Sequence, residues 1–199
     1  MIAAVIPLNP MPFCTSESLP FGEVSLACVS SPDISSRLNI SRVDCSPNMD
    51  DHLAVEVVNA YIIDFVSNAP IQNFNFDVVS HGCATKGCAE SGEHLDAQSW
   101  ELPIGFLMIG TEDGDVLNER MPWIETTPRD QHYPVEYLDN GFRLSLPYVP
   151  PSTLVEFHFV LAYNTVESDN VAEWIAVDIP HRRLFGLPIL KRLATPNAG

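Results

Sequence analysis

From Ile71 to Val79 the chain reads Ile-Gln-Asn-Phe-Asn-Phe-Asp-Val-Val, with Phe74, Phe76 and Val78 on one side and Asn73, Asn75 and Asp77 on the other. A period of two belongs to a strand with one face on a core and the other in water. In a helix, Phe74 and Phe76 would sit on opposite sides of the axis, and no single face could bury them. Two later stretches repeat the pattern: Phe142, Leu144, Leu146 and Tyr148, then Val155, Phe157, Phe159, Leu161 and Tyr163. Alternation of this kind marks antiparallel sheets with one face on a core, so the expected fold class is all-β.

Shorter strands are read at Gly22 to Val29 and at Leu38 to Val43. The stretch from Leu53 to Val66 is ambiguous, because Leu53, Val57, Tyr61 and Phe65 also lie at helical spacing. Six β-branched residues (Val55, Val57, Val58, Ile62, Ile63 and Val66) favour a strand there, since they lose side-chain freedom in a helix and pack well on a pleated surface. Residues 80–100 are polar and contain Gly82, Gly87 and Gly92, and are read as an insertion loop. Leu102 to Ile109 is apolar and is read as buried on both faces, and residues 118–140, with Pro122, Pro128 and Pro134, as an irregular connection. A last strand is expected over Glu173 to Ile179.

The order strand, Pro150-Pro151-Ser152 turn, aromatic strand, polar loop and final strand resembles the back half of an immunoglobulin-like sandwich. The resemblance is to an architecture. The Cys…Trp…Cys pattern of antibody domains is absent. The expected organisation is a proline-punctuated N-terminal arm over residues 1–21, an immunoglobulin-like antiparallel β-sandwich over 22–180 with long loops, and a basic C-terminal arm over 181–199. Within the first arm, Ala3 to Ile6 is read as a short opening strand; Pro7, Pro10, Pro12 and Pro20 bar a central strand or a helix interior.

Charge narrows the function classes. The formal net charge is -16, and four of the ten lysines and arginines fall after residue 180, where there is no acid. The remaining body sets six basic residues against 26 acidic ones. Such a body repels a phosphate backbone, so nucleic acid is not an expected partner. No apolar run approaches the about 20 residues of a membrane-spanning helix. The opening Met1-Ile-Ala-Ala-Val-Ile-Pro lacks a basic segment and is cut by Pro7, so no secretory leader is expected. Five cysteines, an odd number, fit reduced thiols in a cytoplasm-like compartment or an assembled particle.

The densest chemical cluster is His81, Cys83, Cys88 and His94, two imidazoles and two thiols in 14 residues of a glycine-rich segment. These are zinc-ligand types, and glycines let a loop wrap an ion. The Cys-x4-Cys spacing is looser than a zinc knuckle, and a Cys83–Cys88 disulfide or a plain surface loop uses the same residues. Glu112-Asp113-Gly114-Asp115 offers carboxylates to calcium but lacks EF-hand spacing, and Asp-Gly is a turn signal. His158, between Phe157 and Phe159, is expected to face solvent or a partner. Trp100, Trp123 and Trp174 are read as core or loop anchors. There is no Gly-x-Ser-x-Gly elbow, phosphate loop, dinucleotide fingerprint or His-Glu-x-x-His motif.

The tail combines Arg182, Arg183, Lys191 and Arg192 with Leu184 and Phe185. Gly186 and Pro188 interrupt any membrane-surface helix, so a membrane is not an expected partner. The tail instead suits docking, either back on its own acidic body or on another subunit. The leading expectation is a non-catalytic sandwich without a cofactor that binds another protein or assembles with identical subunits. The alternatives are a metal-binding or redox protein using the 81–94 cluster, with zinc the candidate ion, and a small hydrolase with a site drawn from distant loops.

Overall fold

The computed structural model describes residues 14–20, 22–29, 38–45, 55–83, 86–92, 94–103, 105–124, 133–165, 171–180, 184 and 193–194. In chain order they form β1 (Cys14–Leu19), β2 (Gly22–Cys28), β3 (Asn39–Asp44), β4 (Val57–Val66), β5 (Ile71–His81), β6 (Cys88–Gly92), β7 (Leu95–Leu102), β8 (Gly105–Glu112), α1 (Gly114–Arg120), β9 (Val135–Leu138), β10 (Gly141–Val149), β11 (Leu154–Asn164), α2 (Val171–Val177) and β12 (Leu193–Ala194). Sheet one has five strands in the order β1-β2-β5-β10-β9, and sheet two has seven in the order β12-β3-β4-β11-β8-β7-β6. The strand pairings are antiparallel. The two sheets pack face to face as an all-β sandwich, and each is larger than its counterpart in an immunoglobulin constant domain.

The alternating strands meet as their pattern requires. Phe74 and Phe76 of β5 and Phe142 of β10 enter the interior from sheet one, and Phe157 and Phe159 of β11 enter from sheet two. Phe76 packs edge-on against Phe157 with ring centroids 5.3 Å apart, and Phe74 meets Phe65 at 4.9 Å. These five side chains are buried to within 1%, and each contributes burial whose loss costs about 3–5 kcal/mol in a core. Polar pairs also tie the layers. Glu17 of β1 accepts from Asn59 Nδ2 at 2.8 Å and Arg42 Nη2 at 3.2 Å across the sandwich. Tyr137 of β9 donates to Asp96 of β7 at 2.8 Å.

Leu53 to Val66 resolves as a strand over its described part. In β4, Tyr61, Ile63 and Phe65 face the sandwich interior, while Val58, Ala60 and Ile62 belong to a second cluster on the outer face of sheet two. A strand buried on both faces reads as a nearly continuous apolar run, which is why its period was blurred. The second cluster is roofed by Ala176 and Val177 of α2 and by Leu184. The roof sits close: a Cβ on Gly110 would lie 2.8 Å from Val177, and one on Gly92 2.6 Å from Trp174.

Four expectations are corrected. Residues 80–100 are not a loop throughout; they supply β6 and β7. Asp96, Gln98 and Ser99 made β7 look soluble, yet they are buried. Tyr137, the Leu138 carbonyl and Glu90 satisfy one polar atom of each. The connection over 118–140 contains β9, an edge strand on β10. Glu173 to Ile179 is not a strand, because Val171 to Val177 is the helix α2. Its buried residues Glu173, Ala176 and Val177 share one helical face, and Glu173 accepts a hydrogen bond from Asn164. The strand that would have completed the immunoglobulin-like order is therefore this roof. Finally, His158 is 2% exposed rather than solvent-facing, because the roof and the chain after it cover that face of β11.

The terminal arms are partly described. Residues 14–19 are edge strand β1, and Ala3 to Ile6 lies outside the described residues. In the C-terminal arm, Leu184 is buried in the outer cluster, and β12 pairs with β3 through Leu193–Arg42 and Ala194–Ser41. Both contacts are with the arm's own chain. Arg182, Arg183, Phe185, Lys191 and Arg192 lie outside the described residues.

Candidate functional site

Where the roof of sheet two ends, a cleft of about 620 Å³ opens between the sheet, α1 and the residues after α2. Its walls include Leu95, Val116, Val177, Ile179 and Pro180, and its polar lining includes His94, Thr111, Glu112, Glu119, Arg120 and His158. Local sequence explains how the pieces arrive. Asp113, expected in a turn, is the N-cap of α1 and accepts the Val116 N–H at 2.9 Å. The helix that follows carries Arg120 back over Glu112, the last residue of β8. The backbone N–H of Asp113 bonds the carbonyl of His94 at 3.3 Å, tying the β6–β7 turn to the helix start. His94 holds a left-handed φ of 72°, sparsely populated outside glycine.

The floor is an ion triad. Arg120 grips Glu112 with two parallel bonds, Nη1 to Oε1 at 2.6 Å and Nη2 to Oε2 at 2.5 Å, and Nη2 also donates to the carbonyl of Glu156 at 3.0 Å. His158 Nδ1 lies 3.3 Å from Glu112 Oε2, and its Nε2 lies 3.1 Å from the carbonyl oxygen of Ile179. Burial by itself raises the Glu112 carboxyl, but the hydrogen bonds from Arg120 and His158, with the charges of both, outweigh it and hold it at about 2. A fork-shaped guanidinium on a buried carboxylate is among the stronger polar pairs.

That arrangement limits the chemistry. A carboxylate beside an imidazole can orient a general base. Here both ring nitrogens of His158 face oxygen atoms of the protein, a carboxylate and a carbonyl, so both are engaged within the fold. Among the described residues, the buried guanidinium Nε–H of Arg120 finds no hydrogen-bond partner.

The cysteine–histidine cluster is dispersed. His81 ends β5 in sheet one, with Nε2 2.7 Å from Ser25 Oγ. Cys83 is half-buried, 3.1 Å from Ser80 Oγ, and burial raises its thiol above the usual value. Cys88 is an exposed free thiol at the start of β6. His94 lies beyond the other end of that strand, at the cleft. A strand of five residues spans about 13 Å, too far for Cys88 and His94 to share an ion with bonds of about 2 Å. Among the described residues, no three or more His, Cys, Asp or Glu side chains stand as a metal-holding group.

A second surface stands out at the end of the sandwich where β4 turns into β5 and β10 into β11. The two turns are stitched at Ser67. Its N–H donates to the Thr153 carbonyl at 2.9 Å, its carbonyl accepts from Ser152 N–H at 2.6 Å, and its hydroxyl donates to the Pro150 carbonyl. Four of the six large apolar side chains most exposed among the described residues sit at this end: Val29, Val66, Tyr148 and Leu154. Val66 and Leu154 are direct cross-strand partners, 52% and 53% exposed. Val29, just past β2, lies on the outer face of sheet one, with its N–H bonded to the Asn75 carbonyl at 3.0 Å. Residues 65–76 and 144–155 contain no charged side chain.

No protein-family model, curated protein or solved structure matches this chain. Sequence reasoning singled out His94, Glu112 and His158 without joining them. Arg120 carried no signal beyond its position eight residues after Glu112.

Proposed function

We propose that this protein is a non-catalytic, self-assembling β-sandwich whose copies meet through the uncharged β4–β5 and β10–β11 end. The observation that carries the reading is the exposure of Val66, Tyr148 and Leu154 at the stitched β4–β5 and β10–β11 turns of a chain whose net charge is -16. Two such bodies repel each other over most approaches. Turns whose described residues carry no charge are where like-charged copies come together at least electrostatic cost, whereas a basic partner would be drawn to the acidic faces. Tyrosine with flanking prolines supplies contact area at low entropic cost. The spent nitrogens of His158 and the absence of catalytic motifs support a role that does not depend on bond-making.

Sedimentation velocity over a range of protein concentrations tests this. The wild-type chain is expected to associate with rising concentration, and Leu154→Glu to remain monomeric with an unchanged unfolding midpoint. A wild-type chain that is monomeric throughout refutes self-assembly and leaves the surface to a protein of different sequence. Association that survives both Leu154→Glu and Tyr148→Glu places the contact elsewhere and refutes the assignment of this end.

A further inference from the structure

The interior corner where β1 faces β3 and β4 holds a connected group of polar side chains. Glu17 of β1 belongs to sheet one, while Arg42 of β3 and Asn59 and Tyr61 of β4 belong to sheet two. Arg42 and Tyr61 are direct cross-strand partners, and Asn59 lies two residues before Tyr61 on the same face of β4. Glu17 Oε1 accepts from both Asn59 Nδ2 and Arg42 Nη2, so one carboxylate oxygen joins the two sheets. Asn59 and Tyr61 are 0% and 5% exposed. The group sits toward the start of β4, away from the Val66 end assigned to assembly.

Each of these four side chains carries a buried polar atom with no hydrogen-bond partner among the described residues: Glu17 Oε2, Arg42 Nε, Asn59 Oδ1 and Tyr61 OH. They are neighbours by construction. Oε2 shares a carboxylate with the oxygen that is 2.8 Å from Asn59 Nδ2 and 3.2 Å from Arg42 Nη2, and Oδ1 and Nε belong to the same amide and guanidinium as those nitrogens. A buried polar atom left unpaired costs more than an ordinary hydrogen bond gains. Burial also pushes the Glu17 carboxyl up, against the charge of Arg42 and the hydrogen bonds from Asn59 and Arg42. The four atoms are of opposite kinds. The carboxylate and amide oxygens only accept, the guanidinium N–H only donates, and the phenol can donate. A cation held by the acceptors would face the Arg42 guanidinium, and an anion held by the donors would face the Glu17 carboxylate. A neutral molecule that donates twice and accepts twice meets all four, and water has that complement. Internal waters typically make about three hydrogen bonds to buried groups of this sort.

We propose that this corner is a binding site for internal water, held between the two sheets by Glu17 Oε2, Asn59 Oδ1, Arg42 Nε–H and Tyr61 O–H. The water donates to the two oxygens of Glu17 and Asn59 that only accept, and it accepts from Arg42 and Tyr61. It extends the direct Glu17 contacts into a cross-sheet clasp that fixes the edge strand β1 over β3 and β4. Selection against ions comes from the pairing of a fixed carboxylate with a fixed guanidinium in one buried group.

A crystal structure of the chain that shows ordered solvent tests the assignment. The expected result is a water within about 3.2 Å of three or four of these atoms. The proposal is overturned if the four atoms are paired with other groups of the chain, if an ion occupies the corner, or if no density stands among them. Magnetic relaxation dispersion of the water signal counts long-lived internal waters in solution. The double variant Asn59→Leu with Tyr61→Phe removes two of the four partners and places apolar atoms in the corner, and it is expected to lower that count by about one. An unchanged count in the folded variant also overturns the proposal. If the variant does not fold, the wild-type crystal structure still decides. Self-association is read separately by sedimentation, so the two proposals can fail independently.

Discussion

Replacing Glu112 by Gln keeps the shape of the side chain and removes its charge from the triad. The carboxyl is held at about 2 in the folded chain against 4.5 for an unperturbed glutamate. At roughly 1.4 kcal/mol for each pH unit between the two values, ionised Glu112 contributes about 3 kcal/mol near pH 7. That agrees with the about 3–5 kcal/mol lost when one member of a buried ion pair is removed. The folded value lies below the unfolded one, so the contribution is complete above 4.5 and is lost as the pH falls through about 2. Near pH 3 about 1.4 kcal/mol of it remains. Urea unfolding followed by tryptophan fluorescence should therefore show Glu112→Gln less stable than the wild type by about 3 kcal/mol near pH 7, and by less than half of that near pH 3. Asp139→Asn, which breaks an exposed pair with Lys86 whose side chains are 82% and 73% accessible, should cause no measurable change. An equal loss at both pH values would mean that the cost of Glu112→Gln is packing rather than charge, and the account of the triad would be wrong.

Two further outcomes follow from the roof and the thiols. Gly110→Val places atoms where even a Cβ stands 2.8 Å from Val177; α2 must lift, and a loss of about 1–3 kcal/mol is expected, with faster amide exchange in α2 as the check. No change in either measurement would show that the helix does not sit on β8 as described. In native protein, iodoacetamide should label exposed Cys88 readily, whereas Cys45, buried and held at about 11, should react only on unfolding. Peptide mass analysis of a time course reads this directly, and equal labelling rates would contradict the burial of Cys45.

The parts of the fold legible in sequence are those whose two faces have different neighbours. β5, β10 and β11 lie with one face on the aromatic core, and their apolar residues alternate accordingly. β7 escaped notice because Asp96 and Gln98 are buried by partners contributed from β9, about 40 residues further along the chain. No local pattern encodes a hydrogen bond formed at that separation. In α2, Trp174, Ile175, Ala176 and Val177 form a short apolar run, and such runs suit a strand as well as a helix. What separates the two is the burial of Glu173 together with Ala176 and Val177, on one side of a helix. A solvent-facing His158 requires the far side of its strand to be uncovered. The roof that covers it comes from chain downstream of β11, so the error in α2 and the error in His158 have one origin. The 81–94 cluster is a different case. Proximity in sequence suggested a shared ion, but β6 runs between Cys88 and His94 and drives them apart.

The outward residues of β11 show why the cleft and the exposed end occur together. Read from the end of the strand backwards, they are Ala162, Val160, His158, Glu156 and Leu154. Ala162 and Val160 are buried beneath the α2 roof, His158 is buried in the ion triad, Glu156 is half-buried, and Leu154 is exposed. Its antiparallel neighbour β4, read forwards, passes through Val58, Ala60, Ile62, Asp64 and Val66, ending exposed as well. Composition thus follows cover: apolar under the helix, charged and paired at the edge of the roof, charged and partly wet just beyond it. Leu154 and Val66 break that order. After two positions bearing Glu156 and Asp64, solvent alone would favour more polar residues, yet an apolar pair returns at the point farthest from the roof. Burial within the described chain does not account for it. A second copy placing its own Leu154 and Val66 against this pair would extend the apolar layer past the edge of the molecule, and the charged ring at Glu156 and Asp64 would then separate a covered interior from a covered interface.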